Sequence, residues 1–170
     1  MQAKELITKS LEQSQGYLNN ALNGLTQKEV AWSPTPECNS IAFILWHVVR
    51  VEDAMVNGAI QRKGEVYETE GWREKLGTPP NETGGRYTLE QLQTWTVPEL
   101  KVLRGYADAV RAKTLAFLQS VTPRKLSQEF VRPGRPADTI GGMLGRLSTE
   151  VAMHVGQISY LRGVQRGLNK

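Results

Sequence analysis

The stretch Asn39-Ser40-Ile41-Ala42-Phe43-Ile44-Leu45-Trp46-His47-Val48-Val49-Arg50-Val51-Glu52-Asp53 decides how the rest of the chain is read. Asn39 or Ser40 can cap a helix, and Ile41, Ile44, Val48, Val51 and Met55 then recur at the spacing of one buried helical face, which predicts a helix stopping near Gly58. The apolar run from Ile41 to Trp46, resumed at Val48 and Val49, is far shorter than the roughly 20 residues that cross a bilayer. It therefore reads as a core helix of a globular protein. His47 follows Ile44 by three positions and precedes Val51 by four, so it lies on the buried stripe and points inward.

Three further helices follow from the same periodicity. Before the quoted segment, Ile7, Leu11, Leu18, Leu22 and Leu25 predict a helix from about Lys4 to Asn23, ended by Gly24. Thr26 with Glu29 three residues on is a capping box for a short turn, and Ser33 to Pro36 break the chain after it. Beyond the segment, residues 61–87 hold Gly64, Gly71, Gly77, Gly84, Gly85, Pro79 and Pro80 and read as a long covering loop, with Trp72 and Leu76 packing it down. Thr88, Leu89 and Leu92 suggest a short helix. Pro98 fits the first turn of a long third helix that runs to about Ser120 along Leu103, Tyr106, Ala107, Val110, Thr114, Phe117, Leu118 and Val121. After a breaker-rich stretch, Thr122 to Pro136, Asp138 or Thr139 caps a fourth helix reaching roughly Arg166, with Met143, Leu147, Val151, Ile158 and Leu161 as its stripe. No strand pattern competes. Four amphipathic helices imply an all-α four-helix bundle occupying the whole chain, 1–170, as one domain. The connection between the second and third is long enough to cross the bundle, so those two need not be antiparallel neighbours.

Composition narrows the class. The chain has 170 residues, 39% hydrophobic and 22% charged, which suits a single globular core. One cysteine, Cys38, excludes an intrachain disulfide and a cysteine-based zinc knuckle, and fits a reducing cytosol. Residues Met1 to Ser10 lack the apolar block of a secretory signal, so the expected location is cytoplasmic. The net charge is +4 and the pI near 9.3. The densest basic group, Arg124, Lys125, Arg132 and Arg135, lies in a loop without interleaved aromatics, so a solvated basic surface is favoured over a nucleic-acid face.

The chemistry concentrates on the two histidines. His154 lies seven residues after Leu147 and four before Ile158, and Glu150 precedes it by four, so acid and imidazole share the inward face of the fourth helix. A buried carboxylate needs a cation or strong hydrogen bonds. Either a divalent metal takes His47, Glu150 and His154, with coordination positions left open, or Glu150 pairs with an arginine such as Arg50 or Arg146 and the histidines are structural. Gln157, Tyr160 and Tyr106 could orient ligands or substrate, and Trp72 could wall a pocket, although such residues on bundle seams also serve packing. Cys38 near a helix start is a poor candidate nucleophile because no inward histidine lies beside it.

The segment Asn39 to Asp53, together with His154-Val155-Gly156-Gln157-Ile158-Ser159-Tyr160-Leu161-Arg162-Gly163, resembles the DinB/YfiT-like superfamily of metalloenzymes. Trp72, Gly77, Pro79 and the Thr83-Gly84-Gly85 run before Thr88 look like its linker. The resemblance implies a four-helix bundle in up-down-down-up order, often a homodimer, with a divalent ion such as zinc or nickel on three side chains that here fall at His47, Glu150 and His154. The family's commonest triad is three histidines. Glu150 departs from it, adds negative charge and shifts preference toward harder ions such as iron or manganese. Members of known activity include transferases and isomerases using low-molecular-weight thiols, which implies a metal that activates a cosubstrate thiol toward an electrophile. The alternative is a non-catalytic metal-binding dimer with a structural or sequestering role.

Overall fold

The structure, a computed structural model, describes residues 2–132, 134 and 136–167. Helix α1 covers Ala3–Leu22, and a short α2, Gln27–Ala31, is entered through the expected capping box of Thr26 and Glu29. Helix α3, Ile41–Asp53, is capped by Ser40, whose hydroxyl accepts from the Phe43 amide. Beyond Asp53 the chain widens into a π-helical segment, Ala54–Ile60. The stripe therefore continues to Ile60 rather than stopping at Gly58. Residues 61–87 are not an uninterrupted loop. They contain α4, Val66–Thr69, and α5, Trp72–Leu76, before α6, Leu89–Thr94, with its Thr88–Gln91 capping box. Helix α7, Leu100–Ser120, starts two residues beyond Pro98, which lies just outside it. A single turn, α8 at Pro123–Leu126, follows.

A two-residue antiparallel pair, β1 at Glu129–Phe130 and β2 at Asp138–Thr139, closes the segment before the last helix. It is too short to carry the alternation by which strands are recognised. Helix α9, Ile140–Arg166, is capped by Thr139, whose hydroxyl accepts from the Gly142 amide. Of the basic group noted above, Arg135 lies outside the described residues. No helix among the described residues is long and apolar enough to cross a membrane.

Side-chain contacts fix the directions of the four long helices. Arg162, near the end of α9, donates to the carbonyls of Ala21 and Asn23 at the end of α1, so these helices run parallel. Lys4, at the start of α1, reaches the carbonyls of Gln119 and Val121 at the end of α7, which is therefore antiparallel to α1. On α3 and α7, Phe43 meets Trp95 just before α7, while Glu52 meets Arg111, so both run the same way. The order is up-down-down-up. The core is formed by the expected stripes, including Leu11, Leu18, Leu22, Ile44, Val48, Leu103, Val110, Met143, Leu147 and Ile158. Val51, Met55 and Phe117 are only partly buried.

Burial also takes in charges that the stripes do not announce. Arg50, Glu52, Asp53 and Arg111 are all among the buried residues. Glu52 accepts two hydrogen bonds from Arg111, at 2.9 and 2.8 Å, and the same guanidinium donates to the Leu11 carbonyl at 2.8 Å, so α1, α3 and α7 meet at one ion pair. Asp53 accepts from Asn57 Nδ2, from the Val66 and Tyr67 amides that open α4, and from the Tyr106 hydroxyl, all at 2.8–2.9 Å. Burial and the Asp53 charge push the Tyr106 hydroxyl above its ordinary range, which keeps it a donor. The crossover is thus tied to α3 and α7 by a fully satisfied carboxylate. Its return is pinned by aromatic packing of Phe43 and Trp46 on Tyr87 and Trp95, with centroids 5.1–6.2 Å apart. Gly84, at φ +78°, lies so close to α3 that a Cβ would fall 2.7 Å from Trp46 and 2.9 Å from Phe43.

Two stability predictions follow from these pairs. Arg111→Met leaves the Glu52 carboxylate buried without its cation and is expected to cost about 3–5 kcal/mol, whereas Glu52→Leu combined with Arg111→Met recovers most of that loss in urea denaturation. At the other end, Arg166 on α9 donates to both Glu29 oxygens at 2.6 and 2.8 Å. Those bonds, with help from the Thr26 amide and hydroxyl, hold the Glu29 carboxyl down from 4.5 to about 2. A lowered carboxyl stabilises the fold fully above its unfolded value and ceases to do so as pH falls through its folded one. The deficit of Glu29→Gln in thermal midpoint should therefore be largest at neutral pH and vanish between pH 4.5 and 2.

Candidate metal centre

His47 sits near the middle of α3, and Glu150 and His154 one turn apart on α9, so the contact of these antiparallel helices brings the three together. Each offers one ligand atom, and the three atoms lie within 4.8 Å of one another. The His154 Nε2 is 3.2 Å and the His47 Nε2 3.8 Å from Glu150 Oε1. The rings are edge to face, with centroids 4.9 Å apart. Side-chain exposures of 12% for His154, 17% for His47 and 33% for Glu150 leave the cluster open on the carboxylate side.

Each imidazole is turned by a partner on its other nitrogen. His47 Nδ1 donates to the Thr83 carbonyl at 2.5 Å, and His154 Nδ1 to Gln157 Oε1 at 2.7 Å. A proton on Nδ1 leaves the Nε2 lone pair free, and in both rings Nε2 is the atom that faces Glu150. The donor set fits a divalent first-row ion. Ligands about 2.1 Å from such an ion stand roughly 3.4 Å apart in tetrahedral geometry, close to the separations seen here. Two neutral imidazoles and one carboxylate leave a divalent ion with net positive charge and unfilled positions.

The arginines that might have neutralised Glu150 are engaged elsewhere. Arg50 lies 2.6 Å from Glu65 Oε2 and donates to the Glu82 carbonyl, and Arg146 pairs with Asp138 at 3.1 Å. Of the surrounding residues singled out from sequence, Gln157 is in contact with His154 as described. Three others have different surroundings. The Tyr106 hydroxyl is held between Arg50 and Asp53, because α7 faces α3 on the side away from His47. Tyr160 is 72% exposed on the outer side of α9. Trp72 packs on Tyr106 and against Gly105, where a Cβ would come within 3.0 Å of its ring; it docks α5 on α7. Cys38 is exposed and carries a contact from the Thr35 hydroxyl. The Thr83 carbonyl is the orienting group that sequence reading did not find. Its only trace there was the Thr83-Gly84-Gly85 run, since a backbone acceptor has no residue-type signature.

A crystal structure of a conserved protein from Enterococcus faecalis superposes with a TM-score of 0.86 at 25% identity, over 96% of this chain and 97% of that one. YfiT from Bacillus subtilis, described as "a probable metal-dependent hydrolase with an unusual four-helix bundle topology", superposes with a TM-score of 0.65 at 14% identity, over 96% of this chain and 87% of that one. At that identity the likeness concerns the fold. No functionally curated protein matches the sequence significantly. The family model of the DinB superfamily matches residues 10–158, which include all three clustered side chains, and the chain belongs to that superfamily.

Proposed function

We propose that this chain is a divalent-metal-dependent enzyme in which His47, Glu150 and His154 hold the ion and a low-molecular-weight thiol is transferred to an electrophile. The observation that carries the metal reading is the orientation of the two rings, whose Nδ1 atoms are both occupied by acceptors while both Nε2 atoms face one carboxylate oxygen. Zinc or nickel suits the imidazoles, and Glu150 admits iron or manganese.

With a divalent ion held by His47, Glu150 and His154, the chemistry supplied would be a lowered pKa for a bound thiol or water. The chain's own part is to hold that ion rigidly. Thr83 and Gln157 fix the rings, and Glu150, the most exposed of the three, borders the side from which a small molecule enters. The open side supports an enzyme over a closed structural centre. The name given to YfiT supports hydrolysis as a second reading, with water in place of the thiol.

We place the protein in the cytosol, on the strength of its lone free thiol, and read it as a homodimer. Met153, Tyr160 and Val164 support the dimer: they are 50, 72 and 51% exposed, and follow one another along α9 at helical spacing.

Elemental analysis of protein purified without a metal-affinity tag tests the site. About one divalent ion per chain is expected for wild type, with a loss of most of it in His47→Ala, His154→Ala and Glu150→Ala; unchanged metal content in these variants would remove the assignment. Kinetics with a panel of small thiols and a chromogenic electrophile then tests the reaction. Turnover should require metal and thiol together and fall by at least about 100-fold in Glu150→Ala. Metal-dependent ester or amide cleavage without thiol would select hydrolysis, and neither activity would leave the non-catalytic metal-binding dimer.

A further inference from the structure

The crossover reaches the candidate centre at one point, the peptide segment Glu82-Thr83-Gly84. Two side chains of α3, one turn apart, grip it through consecutive carbonyls: His47 Nδ1 at Thr83 and Arg50 Nε at Glu82, the latter at 3.0 Å. Arg50 is 1% exposed. Its guanidinium is itself fixed, by Glu65 at 2.6 Å from Nη1 and by the Tyr67 ring, whose centroid is 3.8 Å from Cζ. On the opposite side the segment is pressed on the Trp46 and Phe43 rings at Gly84, where no Cβ would fit. The acceptor that sets the His47 ring is therefore not a free loop carbonyl. It is held in place by a buried cation.

We propose that Arg50 is a positioning residue for His47: by holding the Glu82 carbonyl it sets the neighbouring Thr83 carbonyl, which selects the Nδ1–H tautomer of His47 and turns its Nε2 toward Glu150 and His154. The proposal rests on the reading of His47 as a ligand for its consequence, metal affinity. Its first step, the tautomer, belongs to the metal-free protein and can be read independently. Loss of an orienting partner of this kind weakens metal binding by about 10–100-fold.

The test is long-range proton–nitrogen correlation NMR on histidine-labelled, metal-free protein at a pH where the imidazoles are neutral, paired with titration by cobalt(II). Wild type should show His47 mainly as Nδ1–H. Arg50→Lys retains a cation for Glu65 but loses the Nε–H; it should shift His47 toward Nε2–H and weaken cobalt binding about 10–100-fold. Glu65→Gln, which touches the same guanidinium and not the carbonyl, should keep the wild-type tautomer. Should Arg50→Lys not fold, Arg50→Met with Glu65→Gln removes both charges at similar volume and must produce the same tautomer shift. An Nε2–H ring in wild type, or a wild-type tautomer in the folded Arg50 variant, overturns the proposal. Absence of cobalt binding by wild type alongside an Arg50-dependent tautomer would instead overturn the metal reading and leave the positioning role standing.

Discussion

Arg50, Glu52 and Asp53 enter the core within a single turn at the end of α3. A charge removed from water is tolerated only when its hydrogen-bonding capacity is met, and the fold is arranged to meet it. Glu52 takes the Arg111 fork and with it a carbonyl of α1, which sets how three long helices approach. Asp53 takes the first amides of α4 and the Tyr106 hydroxyl, which anchors the crossover where it leaves α3. Arg50 takes Glu65 and the Glu82 carbonyl, which anchors it where it returns. The apolar stripes provide most of the burial. The charges select one arrangement of the helices among those that apolar packing alone would allow.

The helices were legible in the sequence because their signals are local. Of the paired cap candidates Ser40 and Thr139 are the ones used, Thr26 and Glu29 form their expected box, and the last helix ends at Arg166 as its stripe indicates. Less legible were features whose cause lies far away in the chain. The widening at Ala54–Ile60 moves burial onto Val56, Asn57 and Ile60 and leaves the expected Met55 only partly buried, a shift of face that apolar spacing does not announce. Glycines and prolines in 61–87 correctly indicate breaks, yet α4 forms there because Asp53 satisfies its amides. No residue within 61–87 announces that help.

The cluster of His47, Glu150 and His154 was legible for a similar reason: each lies on a stripe, and a stripe states which way a side chain points. Spacing left open whether Glu150 met an ion or an arginine. That question depended on where Arg50 and Arg146 go, and both have carboxylate partners of their own. Tyr106 was placed on the correct face of α7, but a face is broader than a site. One turn along α3 separates the ring-bearing His47 from the Arg50 that claims the Tyr106 hydroxyl.

The parallel pairing of α1 with α9 has a consequence for biosynthesis. Two of the three clustered side chains lie on the helix translated last among the four, and it must insert between α1 and α3, which emerged much earlier. Closing so long a stretch of chain is slow relative to forming any single helix. A nascent chain on the ribosome therefore presents His47 well before Glu150 and His154. The three side chains can converge only once α9 has packed against α3.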